Sequence, residues 1–555
     1  MVLKVKKLRF FFKFSIVEKN TPVSTRSTMG FSQWIGLVLL MSSMLTVEVC
    51  DGARILAIFP SPAKSHQIVF RAVVKGLLER GHHVLMMTTD PFETTNPNVT
   101  QINWNYAHKI VEDNFDVAQM RQNKCNSLQV ASQLLVVTKK FIEAELAHPE
   151  VQSLIENAHE EHFDVLLVEY FQMTPFFAFS ELFNIPMVGI TSIDSIALAH
   201  EVIGNVKNVV AHPEMNHKFS KSLNFFERLE AVITSLFVDQ YFIPSEFEKY
   251  DKIIEQNFGS NMSKSVNLMN RIDFLLSNVE PALGFVRPIV PQAVQLGFLH
   301  IEPAKPLPAD LQRFLDNSRH GVIYFSLGTL IRSGSINAKN SKIFMDTFKS
   351  LKYDILWKCD NEVDLNGTSN IRIDRWLPQQ DLLAHPNVKL FVTQGGQQSM
   401  EEAVDRHVPM VVIPFNFDQF GNSDKVVELG IGKSIWMERL TTDGLRQAII
   451  EVISNKKYKR NIERLGKLVR DQPMRPVEKA VWWIEYVIRH QGASHLRYKP
   501  AQMPVWQYHY YDVVAFLLLV GLVLLALVAI VTRRFFRWLF GRQRWWSFQR
   551  KQKIL

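Results

Sequence analysis

Cysteine is nearly absent from this 555-residue chain: Cys50, Cys125 and Cys359 are all there are, too few for a disulfide framework or a cysteine-based zinc site. The central body also lacks an excess of positive charge. The formal net charge is +9, but residues 1–28 carry +6 and residues 533–555 carry +8, which leaves −5 between them. A nucleic-acid footprint is therefore not supported. General disorder is excluded too, because 47% of the residues are hydrophobic and only 21% are charged. Long apolar runs are missing everywhere except near the C-terminus.

That one run, Val513–Val531, is 19 residues without a polar side chain. As a helix it is long enough to cross a bilayer core of roughly 30 Å. A core helix would carry a polar stripe, and this one has none. Trp506, Tyr508, Tyr510 and Tyr511 precede it and Phe535, Phe536 and Trp538 follow, as an interfacial aromatic belt requires. The basic flank from Arg533-Arg534 should face the cytosol, with the N-terminal body on the opposite side. Trp34–Leu45 reads as the apolar core of a signal peptide cleaved near Gly52, with a signal anchor as the alternative and Met1 or Met29 as initiator. Acceptor sequons stand at Asn98, Asn261 and Asn366. The ending Lys551-Gln552-Lys553-Ile554-Leu555 resembles the dilysine retrieval signal of endoplasmic reticulum membrane proteins. The expected topology is single-pass type I in that membrane, with the body lumenal and the basic tail cytosolic.

Between the ends, β-rich runs alternate with amphipathic helices. Arg54–Pro60, a helical stretch with Ile68, Val69, Val73 and Leu77, and His83–Thr88 form a strand–helix–strand unit of about thirty residues, hence a parallel sheet. Asp164–Val168 and Pro186–Ile190 bracket a helix over Pro175–Leu182. The pattern restarts at Gly321–Leu327 and continues through Asp354–Trp357, Val388–Val392 and Met410–Ile413. Glu280–Pro308 is proline-rich and aperiodic, as a linker should be. These signals divide the chain into a leader (1–52), a first α/β domain (53–290), a linker (291–309), a second α/β domain (310–475), a helical return and juxtamembrane segment (476–512), the membrane helix (513–531) and the tail (532–555). The fold class is α/β: two doubly wound parallel-sheet domains facing a cleft, with ligands bound outside the carboxyl ends of the strands.

The most informative stretch is Asp374-Arg375-Trp376-Leu377-Pro378-Gln379-Gln380, then Thr393-Gln394-Gly395-Gly396-Gln397-Gln398-Ser399, then Pro414-Phe415-Asn416-Phe417-Asp418-Gln419. Glycines between a strand and a helix present free N–H groups and the positive end of a helix dipole, a ready site for phosphate, although such turns are often only structural. The whole run closely resembles the donor-binding signature of the UDP-glycosyltransferases, with the form Gln394–Ser399 nearest to arthropod members. The resemblance spans leader, both domains, membrane helix and basic tail.

That resemblance implies a GT-B fold and a set of roles. Trp376 should stack on uracil and Gln379 should hydrogen-bond the nucleoside. Gln394, Gly395, Gly396 and Gln398 should line the diphosphate, with Ser326 and Thr329 of the loop Ser326–Thr329 adding donors. Glu402 should accept the ribose hydroxyls, and Asp418 and Gln419 should hold the sugar. Many members have histidine where Gln394 stands, and glutamine supplies no positive charge. His66, after the first strand, falls where the family places its catalytic histidine; by its position alone it could equally be a capping residue. Glu169 falls where the family usually has aspartate, one methylene shorter, to orient that histidine. His82 and His83 read as structural.

The implied activity is inverting transfer of a hexose, glucose by the arthropod likeness, from a UDP-sugar to a hydroxyl of a small lipophilic acceptor, as in conjugation of phenols and alcohols. UDP-sugar is a co-substrate, and neither metal nor cofactor is required by this chemistry. Phe171–Phe179, with Met173, Phe176 and Phe177, and Phe237–Phe242 could line the acceptor pocket or simply be core. The competing reading is a catalytically silent, membrane-tethered binder of lipophilic ligands. Membrane lipid is an expected partner, nucleic acid is not, and homo-oligomerisation stays open.

Overall fold

The computed structural model describes residues 52–552 apart from 124, 126, 213–222, 285, 330, 332–335 and 361–367. The leader with Trp34–Leu45, the sequon at Asn366 and the last three residues fall outside the described set.

Seven strands build the first sheet: β1 (Arg54–Phe59), β2 (His83–Thr88), β3 (Val99–Asn103), β4 (Val165–Glu169), β5 (Met187–Thr191), β6 (Ile272–Ser277) and β7 (Ala293–Gln295). They are all parallel, in the order β3-β2-β1-β4-β5-β6-β7. Every residue of β4 and β5 is buried, as continuous apolar runs in a sheet covered on both faces must be. Alternate residues of β1 feed opposite cores: Leu56 and Ile58 pack on one side, and Ile55, Ala57 and Phe59 on the other.

The second sheet repeats the plan with β8 (Val322–Ser326), β9 (Asp354–Lys358), β10 (Ile371–Asp374), β11 (Val388–Thr393), β12 (Met410–Val412) and β13 (Gly432–Ser434). These too are parallel, ordered β10-β9-β8-β11-β12-β13. In each sheet the strand order reverses direction once, between β1 and β4 and between β8 and β11. Loops leaving the carboxyl ends at those two points are splayed apart by crossovers to opposite faces, which leaves a crevice for ligand.

Two departures from the sequence reading have local causes. The proline-rich segment read as pure linker contributes β7, which pairs with β6 through Leu275↔Ala293. Three residues beside Pro291 are too few to show alternation. Pro175–Leu182 is not one α-helix: Thr174–Phe177 is a 3₁₀ turn leading into the helix Ala178–Leu182.

After the second domain the chain goes back to the first. The helix Pro476–Arg489 lays Val481, Ile484 and Val487 against the helix Lys64–Glu79 and the first sheet, and Trp483 stacks on Phe274 at 4.2 Å. Gly76 permits the close crossing, since a Cβ there would lie 2.6 Å from Val477 Cγ1. The two places where the chain passes between domains are side by side: Gly297, just past β7, lies against Glu280, and the Gln472 side-chain amide donates to Glu280 Oε2 at 3.2 Å. Beyond them runs the 42-residue helix Tyr511–Gln552, whose part Tyr511–Gly541 is long and apolar enough to cross a membrane and is packed against no core. Replacing the fully buried Ile484 by alanine should cost roughly 2–5 kcal/mol, the range for deleting such a side chain from a core. Denaturant unfolding of Ile484→Ala reads that cost, and a loss below about 1 kcal/mol would mean the return helix is not part of the first domain's core.

Candidate active site

β1 ends at Phe59, and its loop turns into the helix Lys64–Glu79, so His66 lies in that helix's first turn. The loop is braced from below. Buried Gln67 donates its amide to the carbonyls of Phe59 and Ser61 and accepts from the Thr88 hydroxyl. β4 runs beside β1 in register Ile58↔Val168, which sets Glu169 next to the loop. His66 Nδ1 and Glu169 Oε1 are 2.9 Å apart, and the second carboxylate oxygen accepts Ser61 N–H at 3.0 Å. The Glu169 side chain is fully buried while His66 keeps about a fifth of its surface exposed. The extra methylene of glutamate does not prevent the pairing. Asp164, at the other end of the strand, accepts from Arg54 N–H at 2.7 Å.

The facing half belongs to the second sheet. Gly395 has φ +83°, and a Cβ there would stand 2.5 Å from Val412 Cγ1. This glycine makes the turn by passing close to β12 and does not itself line the cavity. Gly396 is the cap of the helix Gln397–Asp405. Gln394 folds its amide over Gly328, whose φ is +75°. Asp418 Oδ2 accepts Gln397 N–H at 2.9 Å and the Asn422 amide at 2.8 Å. Burial pushes the Asp418 carboxyl up to about 6, against the pull of those donors and of His66 across the cleft. Gln419 uses its carbonyl to accept N–H groups of Phe415 and Asn416, fixing the loop. Gln379 accepts from the Tyr324 hydroxyl and donates to Glu402 and Ser399.

One cavity of about 960 Å³ joins the two halves. It is lined by His66, Ser326, Thr329, Trp376, Gln379, Gln394, Gly396, Gln398, Glu402, Asp418 and Gln419; Glu169 lies behind His66. Gln398 lines it but spends its side-chain amide on the Ser192 carbonyl of the first domain at 2.8 Å. The two aromatic segments divide differently from their composition. Phe171, Met173, Val238 and Phe242 line the cavity, whereas Phe176, Phe177 and Phe179 are sealed in the core, Phe177 stacked on Tyr170 and Phe176 against Trp104. Asn261 is exposed in a turn and Asn98 half-buried before β3.

Three residues that the sequence reading did not single out are built into this site. Lys64 and Lys358 both face the cavity and flank the exposed Trp376 ring, at 5.2 Å and 5.8 Å from its centroid. Lys358 is nearly buried, donates to the Gly328 carbonyl at 2.8 Å, and is lowered from the ordinary lysine range by burial and by Lys64. They bring positive charge to a site where Gln394 brings none. Lys64 was detectable as the near neighbour of His66; Lys358 ends a strand with no local signal. The third residue is His300, wholly buried between successive carboxylates, with Nδ1 3.5 Å from Glu401 and Nε2 3.3 Å from Glu402. Burial alone would lower this imidazole, but Glu402 and then Glu401 more than offset it and hold it above the ordinary range. Glu401 is pushed up to about 7 by its burial, against the pull of His300. His300 thus packs its ring between Glu401 and Glu402, the latter lining the cavity.

The family model described as UDP-glucoronosyl and UDP-glucosyl transferase matches residues 54–544. The chain belongs to the UDP-glycosyltransferase family. It is 30% identical to UDP-glucosyltransferase 2 of Dactylopius coccus, over 87% of this chain and 93% of that one. It is 31% identical to an ecdysteroid UDP-glucosyltransferase of the Spodoptera littoralis nuclear polyhedrosis virus, over 86% and 96%. A crystal structure described as the glycotransferase of kitacinnamycin superposes with a TM-score of 0.52 at 20% identity, covering 79% of this chain and 99% of that chain. The two-sheet architecture is thus the GT-B fold, and the enzyme is a UDP-glycosyltransferase.

Two outcomes follow for this UDP-glycosyltransferase. His300→Asn should raise KM for the UDP-sugar severalfold, because it removes the ring wedged between Glu401 and Glu402, with kcat little changed; steady-state kinetics that instead show a fall in kcat at constant KM would contradict the positioning role. Asp418, raised above its unfolded value of about 4, takes up a proton more readily when folded, so its contribution to stability is lost as pH rises from about 4 to about 6. Asp418→Asn should therefore melt like the parent near pH 4 and at a higher temperature than the parent at pH 7.5.

Proposed function

We propose that this enzyme transfers a hexosyl group, glucose in the first instance, from a UDP-sugar to a hydroxyl of a small lipophilic acceptor with inversion at the anomeric carbon. The observation that carries the reading is the 2.9 Å pairing of His66 with buried Glu169, where His66 lines the same cavity as Gly396 and Asp418. Donation of Nδ1–H to the carboxylate leaves a lone pair on Nε2. That nitrogen takes the proton of the acceptor hydroxyl while its oxygen attacks the anomeric carbon, and the bond to the diphosphate breaks. The charge left on UDP meets the N–H groups that open the helix Gln397–Asp405, and the ammonium groups of Lys64 and Lys358. Trp376 and Gln379 would hold the nucleoside, Glu402 the ribose, and Ser326, Thr329, Gln394, Gly396 and Gln398 the diphosphate. Asp418 and Gln419 would hold the sugar, with Gly395 shaping the turn.

The acceptor class is read from the cavity's first-domain wall, where Phe115, Leu134, Phe171, Met173, Val238 and Phe242 suit phenols and hydrophobic alcohols, including steroids like the ecdysteroid named for the viral relative. Conjugation for detoxification is the matching physiological role. Helix Tyr511–Gly541 would span the endoplasmic reticulum membrane once, with the catalytic body lumenal, Asn98, Asn261 and Asn366 open to glycosylation, and the basic tail cytosolic.

The test is UDP release from microsomes expressing the chain, with UDP-glucose and a panel of phenols and aliphatic alcohols. Turnover should fall by about 10²–10⁴-fold in His66→Ala, the share of a general base. Folded protein that releases no UDP from UDP-glucose, UDP-glucuronic acid or UDP-galactose would replace this reading with that of a silent lipophilic binder.

A further inference from the structure

The helix Phe225–Phe237 has its amphipathic pattern reversed for a helix on a water-facing domain. Phe225, Phe226, Leu229, Ile233, Leu236 and Phe237 follow helical spacing and form one stripe, and all point outward with 45–77% of their surface exposed. The inward edge is the modest one: Ala231 is buried, and Thr234 and Val238 face the active-site cavity. An apolar stripe of this breadth, left open beside a domain core that seals in Phe176, Phe177 and Phe179, marks a surface for an apolar partner.

The position of the helix selects the partner. The neighbouring helix Ala197–Ile203 packs against Lys499–Gln502, just upstream of the helix Tyr511–Gln552. The Lys207 ammonium ties Glu201 of that same neighbour, at 2.6 Å, to Asp239, two residues beyond Phe237, at 2.7 Å. The reversed stripe is thereby fixed beside the point where the apolar C-terminal helix leaves the body. Its polar residues Glu227, Arg228 and Glu230 carry little net charge, so attraction to anionic headgroups is not what seats it.

We propose that the outward face of the helix Phe225–Phe237 lies in the polar–apolar boundary of the bilayer that Tyr511–Gly541 crosses, as a second lipid contact of the enzyme. This rests on the membrane reading given above. An amphipathic helix seated in this way sinks its apolar face roughly 5–10 Å into the boundary. The helix body is about 10 Å across, so lipid and acceptor cavity are then separated by one helix. A lipophilic acceptor dissolved in the membrane reaches the cavity wall without crossing water.

The test uses the full chain in nanodiscs of phosphatidylcholine, with an environment-sensitive fluorophore on one introduced cysteine and the signal of the unsubstituted chain subtracted. Ile233→Cys reports the stripe, Leu522→Cys the C-terminal helix, and Lys339→Cys an exposed site in the second domain. Each labelled variant must retain UDP-sugar turnover. With lipids carrying a nitroxide high on the acyl chain, quenching at Ile233→Cys should exceed that at Lys339→Cys by about twofold or more, as burial near the headgroups requires. Quenching at Leu522→Cys with Ile233→Cys no different from Lys339→Cys would overturn the proposal while leaving the membrane helix in place. Quenching at none of the three would overturn the membrane reading and the proposal with it. Protection of Ile233→Cys without nitroxide quenching, rising with protein concentration, would give the surface to a second copy and overturn the lipid contact.

Discussion

Everything in this active site depends on two sheets presenting their carboxyl edges to each other at a fixed separation, and a small buried polar junction sets it. Asn278, at the end of β6, donates to the carbonyl of Ser192 and to Glu401, and accepts from Leu299 N–H. Gln397 reaches back to the Asn278 carbonyl, and Gln398 to Ser192. The residues that open the helix Gln397–Asp405 thus also tie the two domains together. Buried amides left without partners would cost about 1–3 kcal/mol each, so these contacts come as a set.

On that frame the charges arrange themselves by burial. Glu169 is sunk behind His66, Asp418 is raised by burial, and His300 is raised by Glu402 and Glu401, against its own burial. The helix start with Gly396 and two lysines faces the same cavity from other directions. The second-domain wall of that cavity is mostly polar, while the first-domain wall carries mostly apolar side chains. The division into a polar half and an apolar half follows from which sheet contributes each loop.

Much of this was legible in the sequence, and for physical reasons. Strands such as Val165–Glu169 and Val322–Ser326 are buried on both faces, so they appear as unbroken apolar runs between helical periods. The glycine turn before Gln397 is legible because its backbone geometry restricts residue choice. β7 and β13 are too short to carry a pattern. Phe176 and Phe171 look alike in composition, yet one is core and the other lines the cavity, because only tertiary packing separates them. Lys358 and His300 reach Trp376, Gly328 and the Glu401–Glu402 pair, all eighteen or more residues away in the chain, and nothing local announces either. The helix Phe225–Phe237 has a clear helical period, but a period does not say which face meets water.

The return of the helix Pro476–Arg489 to the first sheet has a mechanical meaning. The second domain is an insert, entered just past β7, where Gly297 lies against Glu280, and left near Gln472, whose amide donates to that same Glu280. A lobe carried on two adjacent straps can swing about the line through them but resists twisting or sliding. Exchange of UDP for a fresh donor would then proceed by a single opening angle. The long apolar C-terminal helix follows the return to the first domain and leaves that swinging lobe unloaded.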